Sequence, residues 1–132
     1  MTKLEALKNK HQQALARFDE ILQEEKNDIV RDSAIKRFEF TFDLSWKLIK
    51  AFLEEEKGIS CKSPKGCFRE AYRQDLIDYD EFWIKMTDWR NEIVHNYGEQ
   101  FADSLFENLP QALERFLLLA EKISSTTTSS TI

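Results

Sequence analysis

The sequence predicts an all-α protein, an up-and-down bundle of about five helices that pairs with a second copy of itself. Glycine (3) and proline (2) are scarce among the 132 residues, which leaves few tight turns and favours a few long helices. Apolar residues recur at three- and four-residue spacings along most of the chain, the period of an amphipathic helix. A chain of this length forms one domain around one core.

The first two helices follow from these spacings. We predict one helix from near Thr2 to Glu25 and a second that begins at Asp28 or Asp32 and ends at Gly58. The second helix has an apolar seam that steps 3-4-3-4-3: Ile35, Phe38, Phe42, Ser45, Ile49 and Phe52. Further apolar residues cover much of its remaining surface: Phe40, Leu44, Trp46, Leu48 and Leu53. Because such a helix is buried on more than one side, the extra face predicts a partner helix from a second copy of the chain.

The third and fourth helices are marked by their capping residues. Ser63 followed by Pro64 is typical of an N-cap with proline at the first helical position, so a short third helix begins there. The fourth helix begins at Asp78 or Asp80 and stops near Gly98. These boundaries place the most unusual residues of the chain on the fourth helix.

The last helix and the tail differ sharply in composition. The helix carries an apolar stripe: Leu105, Leu109, Ala112, Phe116, Leu119 and Ile123. Pro110 lies inside this stripe, which predicts a kink or a break. The helical domain is therefore expected to span residues 1–123. The segment 124–132 is nearly all serine and threonine, has nothing to bury, and is predicted to be disordered.

Composition narrows the classes of function. No apolar run approaches the roughly 20 residues needed to cross a bilayer, and the N-terminus has no signal-like apolar segment. We therefore expect a cytoplasmic protein with no membrane partner. Cys61 and Cys67 match neither a zinc pattern nor a CxxC pair, so free thiols are expected. The net charge of -5 disfavours non-specific nucleic-acid binding and a DNA partner, so any RNA-directed role needs a local basic patch.

A basic strip is available on the third helix. Lys65, Arg69 and Arg73 are four residues apart and share one helix face, and Lys62 precedes them. One interpretation is an ordinary solvated charged face. The other is a binding strip for RNA phosphates or for an acidic partner.

The fourth helix places polar groups where core residues are expected. Its stripe consists of Trp83, Met86, Arg90, Ile93 and Tyr97. A buried arginine is costly unless it is paired, so either a carboxylate meets Arg90 or Arg90 lines a cleft that opens to solvent. Asn91 and His95, four residues apart, lie beside this stripe. The helical period thus places four polar side chains on one half of the helix surface: Arg90, Asn91, His95 and Tyr97.

These groups suit phosphodiester chemistry on RNA. A histidine can exchange protons with a ribose 2′-hydroxyl or a leaving 5′-oxygen, and an arginine can hold the phosphate. The sequence offers no metal cage, and this chemistry needs neither metal nor cofactor. One histidine does not easily act as both acid and base, but two sites facing each other across a dimer of second and fourth helices supply both roles. Alternatively, Arg90 is a structural partner of Asp43 or another acid, and Asn91 and His95 tie helix ends together.

Three segments carry a resemblance to a known family. Residues Arg90–Tyr97 resemble the R-x4-H-x-Y signature of HEPN domains. Residues 37–47 resemble the second helix of the HEPN subfamily known as nucleotidyltransferase substrate-binding proteins or HepT toxins. The Ser63-Pro64 pair with residues 68–71 is similar to that subfamily's third helix. The similarity spans roughly residues 3–122.

This resemblance implies a helical-bundle homodimer with a separate partner, a minimal nucleotidyltransferase of the MntA kind. In the toxin branch, a type VII-like toxin–antitoxin pair, the HEPN dimer is a metal-independent ribonuclease. Carried over to this chain, Arg90 binds the scissile phosphate, His95 is the acid and base, and Asn91 supports the polar network. The antitoxin adds AMP to Tyr97. The alternative within the resemblance is a non-catalytic substrate-binding subunit of a two-component nucleotidyltransferase.

Overall fold

The part of the chain that the structure describes forms five α-helices. The computed structural model describes residues 2–95 and 98–130, with side chains described through residue 126. The helices are α1 (Lys3–Leu22), α2 (Asp28–Phe52), α3 (Pro64–Arg73), α4 (Phe82–His95) and α5 (Glu99–Ser130). A π-helical turn, Leu53–Lys57, extends α2. The described residues contain no strand, and none of their helices is long and apolar enough to cross a membrane.

The central element is α2, which packs against each of the other four helices. Its predicted seam is confirmed, since all six of its residues are buried. The ring of Phe116 in α5 joins this core to its neighbours: its centroid lies 6.1 Å from that of Phe18, 6.2 Å from that of Phe38 and 5.9 Å from that of Trp83. Four helices therefore meet at one aromatic cluster, where each buried aromatic ring contributes about 1.5–3 kcal/mol.

Side-chain caps define the starts of α1, α2 and α3, and the cap of α2 differs from the prediction. The N-cap of α2 is Asn27, whose Oδ1 accepts a hydrogen bond from the Val30 N–H at 2.9 Å, rather than Asp28 or Asp32. Asp28 lies one residue later, in the first turn of α2, where its negative charge interacts favourably with the positive end of the helix dipole. The predicted stop at Gly58 is confirmed by its left-handed φ of 65°.

The start of α3 and that of α4 are also set by caps. Ser63 accepts from the Gly66 N–H at 3.1 Å, as its place before Pro64 predicts. Of the two candidate residues for the start of α4, Asp80 is the one that acts, accepting from the Phe82 N–H at 3.0 Å. These two caps fix where α3 and α4 begin and thus which of their residues face each other.

Of the kink or break predicted at Pro110, the break does not occur, because α5 runs through this residue without interruption. Pro110 is exposed, while its neighbours Leu109 and Ala112 are fully buried. Packing of the apolar stripe therefore holds the helix together across the missing N–H.

The end of α5 lies in the serine- and threonine-rich segment. Helix continues to Ser130 and so enters the segment 124–132, for which composition predicts disorder. The hydroxyl of Thr126 donates to the Lys122 carbonyl at 2.8 Å, a local bond within the last turns. Adding residues to an existing helix is easier than starting one, which explains how this polar segment extends α5.

Cys61 and Cys67 form a disulfide, so the expectation of free thiols is wrong. The chain turns into α3 between them and brings their Cα atoms to 5.2 Å, within the usual range for a bridge. Both residues are buried. Spacing in the sequence excluded a zinc site but did not reveal that the two residues flank a helix start.

A buried histidine links α1 to α2. The Nε2 of His11 lies 2.9 Å from Oγ of Ser45, whose hydroxyl donates to the Thr41 carbonyl at 2.8 Å. Because that serine proton is already used, Nε2 must be the donor, which leaves Nδ1 unprotonated. Nδ1 is buried without a hydrogen-bond partner in the described structure, and burial lowers the pKa of His11 from 6.5 to about 4.

Candidate active site between the second, third and fourth helices

Arg90 joins α4 to α2 through two carboxylates. Its Nε and Nη2 donate to the two oxygens of Asp43 at 3.1 and 3.2 Å, and its Nη1 lies 3.3 Å from Glu39. The hydrogen bond to Asp43 is the main cause of a raised Arg90 pKa. The ion pair with Asp43, one of the two alternatives predicted from the sequence, is thus present.

The other alternative is present as well, because Arg90 also lines a cleft. The cleft has a volume of about 400 Å³ and is bounded by α2, the start of α3 and α4. Its lining includes Asp43, Trp46, Ser63, Lys65, Arg90 and Asn91. The side chain of Arg90 remains 24% exposed and lines the cleft, although each of its guanidinium nitrogens contacts a carboxylate.

The opposite wall of the cleft carries a second cation, Lys65. Lys65 lies there and reaches across to Asp88 of α4, with 2.8 Å between Nζ and Oδ1. Ser63 marks the N-terminus of α3, which is the positive end of the helix dipole. Arg90, Lys65 and this helix end attract anions, but the two cations already pair with Asp43, Glu39 and Asp88, with which a phosphate has to compete.

The structure separates His95 from this cleft within one chain. His95 is the last residue of α4 and is exposed. Five residues after Arg90, it lies about 140° further round the helix and about 7 Å along the axis. Tyr97, the predicted modification site, lies outside the described residues.

The four predicted basic residues are divided among three places. Lys65 lines the cleft with Arg90 and Asn91. Arg69 and Arg73 line a second cavity further along α3, and Lys62 is exposed before the start of α3. The strip is therefore continuous along α3 but only its first helical residue reaches the cleft.

Comparison with known proteins decides the family. The family described as "Nucleotidyltransferase substrate binding protein like" matches residues 5–126. The chain belongs to this family. The HepT-like resemblance noted in the sequence is therefore confirmed, and with it the all-helical fold of the nucleotidyltransferase substrate-binding proteins.

Three relatives of this family member illustrate the match. A Haemophilus influenzae protein named "Probable ribonuclease HepT" is 30% identical over 103 residues, which cover 72% of this chain and 70% of the relative. A crystal structure from Thermus thermophilus has a TM-score of 0.81 and 34% identity, covering 86% of this chain and 98% of its own. A Haemophilus influenzae structure, described as the fold of a substrate binding domain of a nucleotidyltransferase, has a TM-score of 0.67, 25% identity and coverage of 92% and 96%.

Sequence reasoning missed one charged residue that this substrate-binding-protein fold buries. The Arg31 side chain is only 2% exposed and contacts four carboxylates. They are Asp28 at 3.8 Å, Asp32 at 3.0 Å, Glu99 at 2.7 Å and Asp103 at 3.1 Å. The network joins the starts of α2 and α5, directly after the motif. A signal was present, because Arg31 continues the α2 seam four residues before Ile35.

Proposed function

We propose that this chain is a metal-independent HEPN endoribonuclease, the toxin of a type VII-like pair controlled by an MntA-like nucleotidyltransferase. The observation that carries the proposal is Arg90, which is oriented by Asp43, remains partly exposed and lines a cleft together with Lys65. A relative named as a ribonuclease supports the same activity.

The reaction needs one base and one acid. A base removes the proton of the ribose 2′-hydroxyl, and the 2′-oxygen attacks the adjacent phosphorus. The bond from phosphorus to the 5′-oxygen breaks, an acid protonates that oxygen, and the products are a 2′,3′-cyclic phosphate and a free 5′-hydroxyl. Arg90 stabilises the charge on the phosphate. His95 supplies one proton-transfer role, and His95 of a second copy supplies the other.

Exposed apolar residues beside the motif support a dimer in which the two copies share the proton-transfer roles. Much of the second apolar set on α2 is covered within the chain, since Leu44, Leu48 and Leu53 are buried. Phe40, however, is 56% exposed and follows Glu39, while Val94, 67% exposed, lies one turn after Arg90. These two residues flank the ion pair of Arg90, so a two-fold contact through them brings two motifs together.

Sedimentation analysis of Phe40→Glu tests the dimer. We expect a dimeric wild type and a monomeric variant that has lost RNA cleavage. Leu118→Glu is the matched control, because Leu118 is 57% exposed on α5 and the same change there leaves the dimer intact. A monomer with full activity contradicts a site to which both copies contribute His95.

Cleavage of a mixed tRNA and mRNA pool in EDTA tests the activity. Purified wild type is compared with His95→Ala and Arg90→Lys, which keeps the charge but loses the two-bond geometry. We expect cleavage by the wild type in EDTA and a loss of about 100-fold or more in each variant. A wild type with unmodified Tyr97 that leaves RNA intact contradicts the proposal.

The regulatory part is tested by co-expression with the neighbouring nucleotidyltransferase. We expect growth arrest by the chain alone, rescue by the partner, and a mass increase of one AMP on Tyr97. Tyr97→Phe is the control, because it removes the acceptor hydroxyl and keeps the ring. Rescue of this variant without modification shows inhibition by binding alone.

A second candidate is a non-catalytic substrate-binding subunit of a two-component nucleotidyltransferase. It is favoured by the two carboxylates on Arg90, which compete with a phosphate, and by the net charge of -5. A structural relative described as a substrate binding domain also fits it. No RNA cleavage, together with a stable complex that raises nucleotidyl transfer, supports this alternative.

A further inference from the structure

A second cavity opens between α3, α4 and the segment that connects them. It has a volume of about 600 Å³, larger than the cleft at Arg90. Two tyrosines line it, Tyr72 of α3 and Tyr79 of the connection, with ring centroids 5.4 Å apart in an edge-to-face arrangement. Tyr72 is 47% exposed and Tyr79 72% exposed, so both rings offer surface to solvent.

The connection that carries Tyr79 is anchored. Asp75 adopts a left-handed φ of 60°, a conformation that aspartate tolerates better than most residues. The chain then turns back, and Leu76 is buried with its N–H donating to the Ala71 carbonyl at 2.9 Å. This turn brings Tyr79 against Tyr72.

A second anchor lies directly after Tyr79. Asp80 accepts a hydrogen bond from Nε of Arg115 in α5 at 2.8 Å. The Arg115 guanidinium in turn lies 4.1 Å from the centre of the Phe82 ring. The tyrosines are thus fixed on both sides, which makes them a prepared surface rather than a loose loop.

Groups of both charges surround the two rings. Arg69 and Lys85 line the cavity and are exposed. Asp78 and Glu81 line it as well. An aromatic surface with nearby cations fits a nucleobase and its phosphate. A carboxylate next to the base can accept a hydrogen bond from an exocyclic amino group, as on cytosine.

The cavity lies on the path that leads from the motif. α3 and α4 run antiparallel, because Lys65 contacts Asp88 at one end and Phe68 packs on Trp83 at the other, with centroids 4.8 Å apart. Tyr72 is seven residues beyond Lys65, and His95 is seven residues beyond Asp88 in the opposite direction.

Each of these seven-residue steps rises about 10 Å along its helix. Tyr72 and His95 are therefore separated by about 20 Å, with Arg69 between Lys65 and Tyr72. At about 3.4 Å per stacked nucleotide, this span corresponds to about six nucleotides or fewer if the strand is extended. A single strand seated at the motif can thus reach the two tyrosines.

We propose that the tyrosine cavity is a base-binding subsite for single-stranded RNA, occupied by a nucleotide a few positions from the cleaved bond. Tyr79, the more exposed ring, stacks on the base, and Tyr72 packs edge-to-face against Tyr79 and holds it in place. Arg69 contacts the phosphate of this nucleotide, and Asp78 or Glu81 selects bases with an exocyclic amine over uracil. The inference rests on the proposed ribonuclease function and adds a specificity determinant outside the motif.

The test measures binding separately from cleavage. Fluorescence anisotropy follows short labelled oligocytidylate and oligouridylate on the full chain carrying His95→Ala, so that the RNA stays intact. Tyr79→Ala and Tyr72→Ala are each added to this background. Tyr79→Phe is the matched control, because it keeps the stacking ring.

We expect each alanine variant to bind oligocytidylate about 5- to 150-fold more weakly, with Tyr79→Phe near the starting affinity. Oligocytidylate should bind more tightly than oligouridylate, and the difference should shrink in the alanine variants. Unchanged affinity in both alanine variants overturns the subsite. So does loss of nucleotidyltransferase binding with RNA affinity unchanged, which assigns the surface to the protein partner.

Cleavage by the otherwise unmodified chain is measured in parallel. If RNA is cut but the tyrosines do not affect binding, the subsite is wrong and the ribonuclease stands. If RNA is not cut but the alanine variants lose affinity, the subsite stands and the ribonuclease is wrong.

Discussion

Arg90 and Asp43 meet in a side-on ion pair in which two nitrogens of the guanidinium face two oxygens of the carboxylate, at 3.1 and 3.2 Å. The pair crosses from α4 to α2 and leaves the guanidinium at the edge of the cleft. One contact thus both attaches the helices and orients the group proposed to bind phosphate. The two roles predict different consequences for stability and for activity.

Asp43→Asn separates those roles. The amide keeps the shape of the carboxylate but loses its charge and one acceptor. Because the pair is partly exposed, we expect a loss of about 1 kcal/mol or less in unfolding free energy. A misplaced Arg90 should lower kcat by about 10- to 100-fold. Urea unfolding and cleavage kinetics measure these effects, and an unchanged kcat contradicts the positioning role. Glu20→Gln, in the exposed 3.9 Å pair with Arg17, is the control and should change neither.

Lys65→Ala tests the anion-binding wall of the cleft. We expect weaker RNA binding at low salt and a plot of log affinity against log salt that is shallower by about 0.7, the value for one phosphate contact on a single strand. Lys10→Ala removes the same charge from an exposed position on α1 and should leave the slope unchanged. Equal slopes for wild type and Lys65→Ala place the RNA elsewhere.

His11 makes stability depend on pH. Burial lowers its pKa from 6.5 to about 4, so between these values the unfolded chain binds a proton that the folded chain does not. Above pH 6.5 His11 is neutral in both states and its protonation costs the folded state nothing. As the pH falls from 6.5 toward 4, the unfolding free energy decreases, because only the unfolded chain takes up the proton. The decrease amounts to about 3 kcal/mol at most, at 1.36 kcal/mol per pKa unit.

Urea unfolding across this range of pH measures the effect. His11→Leu should flatten the dependence of unfolding free energy on pH. Gln12→Leu is the matched control on the same helix, because Gln12 is exposed and its amide does not titrate, and it should leave the dependence as it is. If the unfolding free energy depends on pH in the same way in the wild type and in His11→Leu, other groups cause the pH dependence.

Arg31→Met should lower the melting temperature clearly. The variant keeps an apolar side chain but removes the cation from among four carboxylates, those of Asp28, Asp32, Glu99 and Asp103. It also removes the hydrogen bonds to Glu99, Asp32 and Asp103 that raise the Arg31 pKa. Added salt should recover part of the loss, because it screens the repulsion among the carboxylates. Calorimetry measures both effects. Arg17→Met, in an exposed pair, is the control and should change the melting temperature little. If Arg31→Met lowers the melting temperature no more than Arg17→Met does, the network does not stabilise the fold.

The sequence contained most of the local information. The 3-4 seam of α2, the stop at Gly58 and the cap at Ser63 follow from rules about neighbours within one helix, and the structure confirms them. The same reasoning identified Arg90 as a polar group in an apolar stripe and Asp43 as its possible partner, because both statements need only the helical period and a nearby acid.

Features that depend on distant parts of the chain could not be predicted in the same way. The Arg31 network needs carboxylates from α5, more than 60 positions away in the chain, as the contact to Glu99 shows. Continuity of α5 at Pro110 reflects packing that outweighs a local rule. The cleft combines residues of α2, α3 and α4, and no spacing within one helix specifies which of them meet.

The Cys61–Cys67 disulfide closes a ring of a few residues, and such a short ring restricts the unfolded chain far less than a long one. Its influence is therefore local. The ring contains Lys62, Ser63 and Lys65, and two of these form one wall of the cleft. A reducing agent consequently acts on how firmly that wall is held while the aromatic core stays packed, so thiol conditions are a variable in any assay of this site.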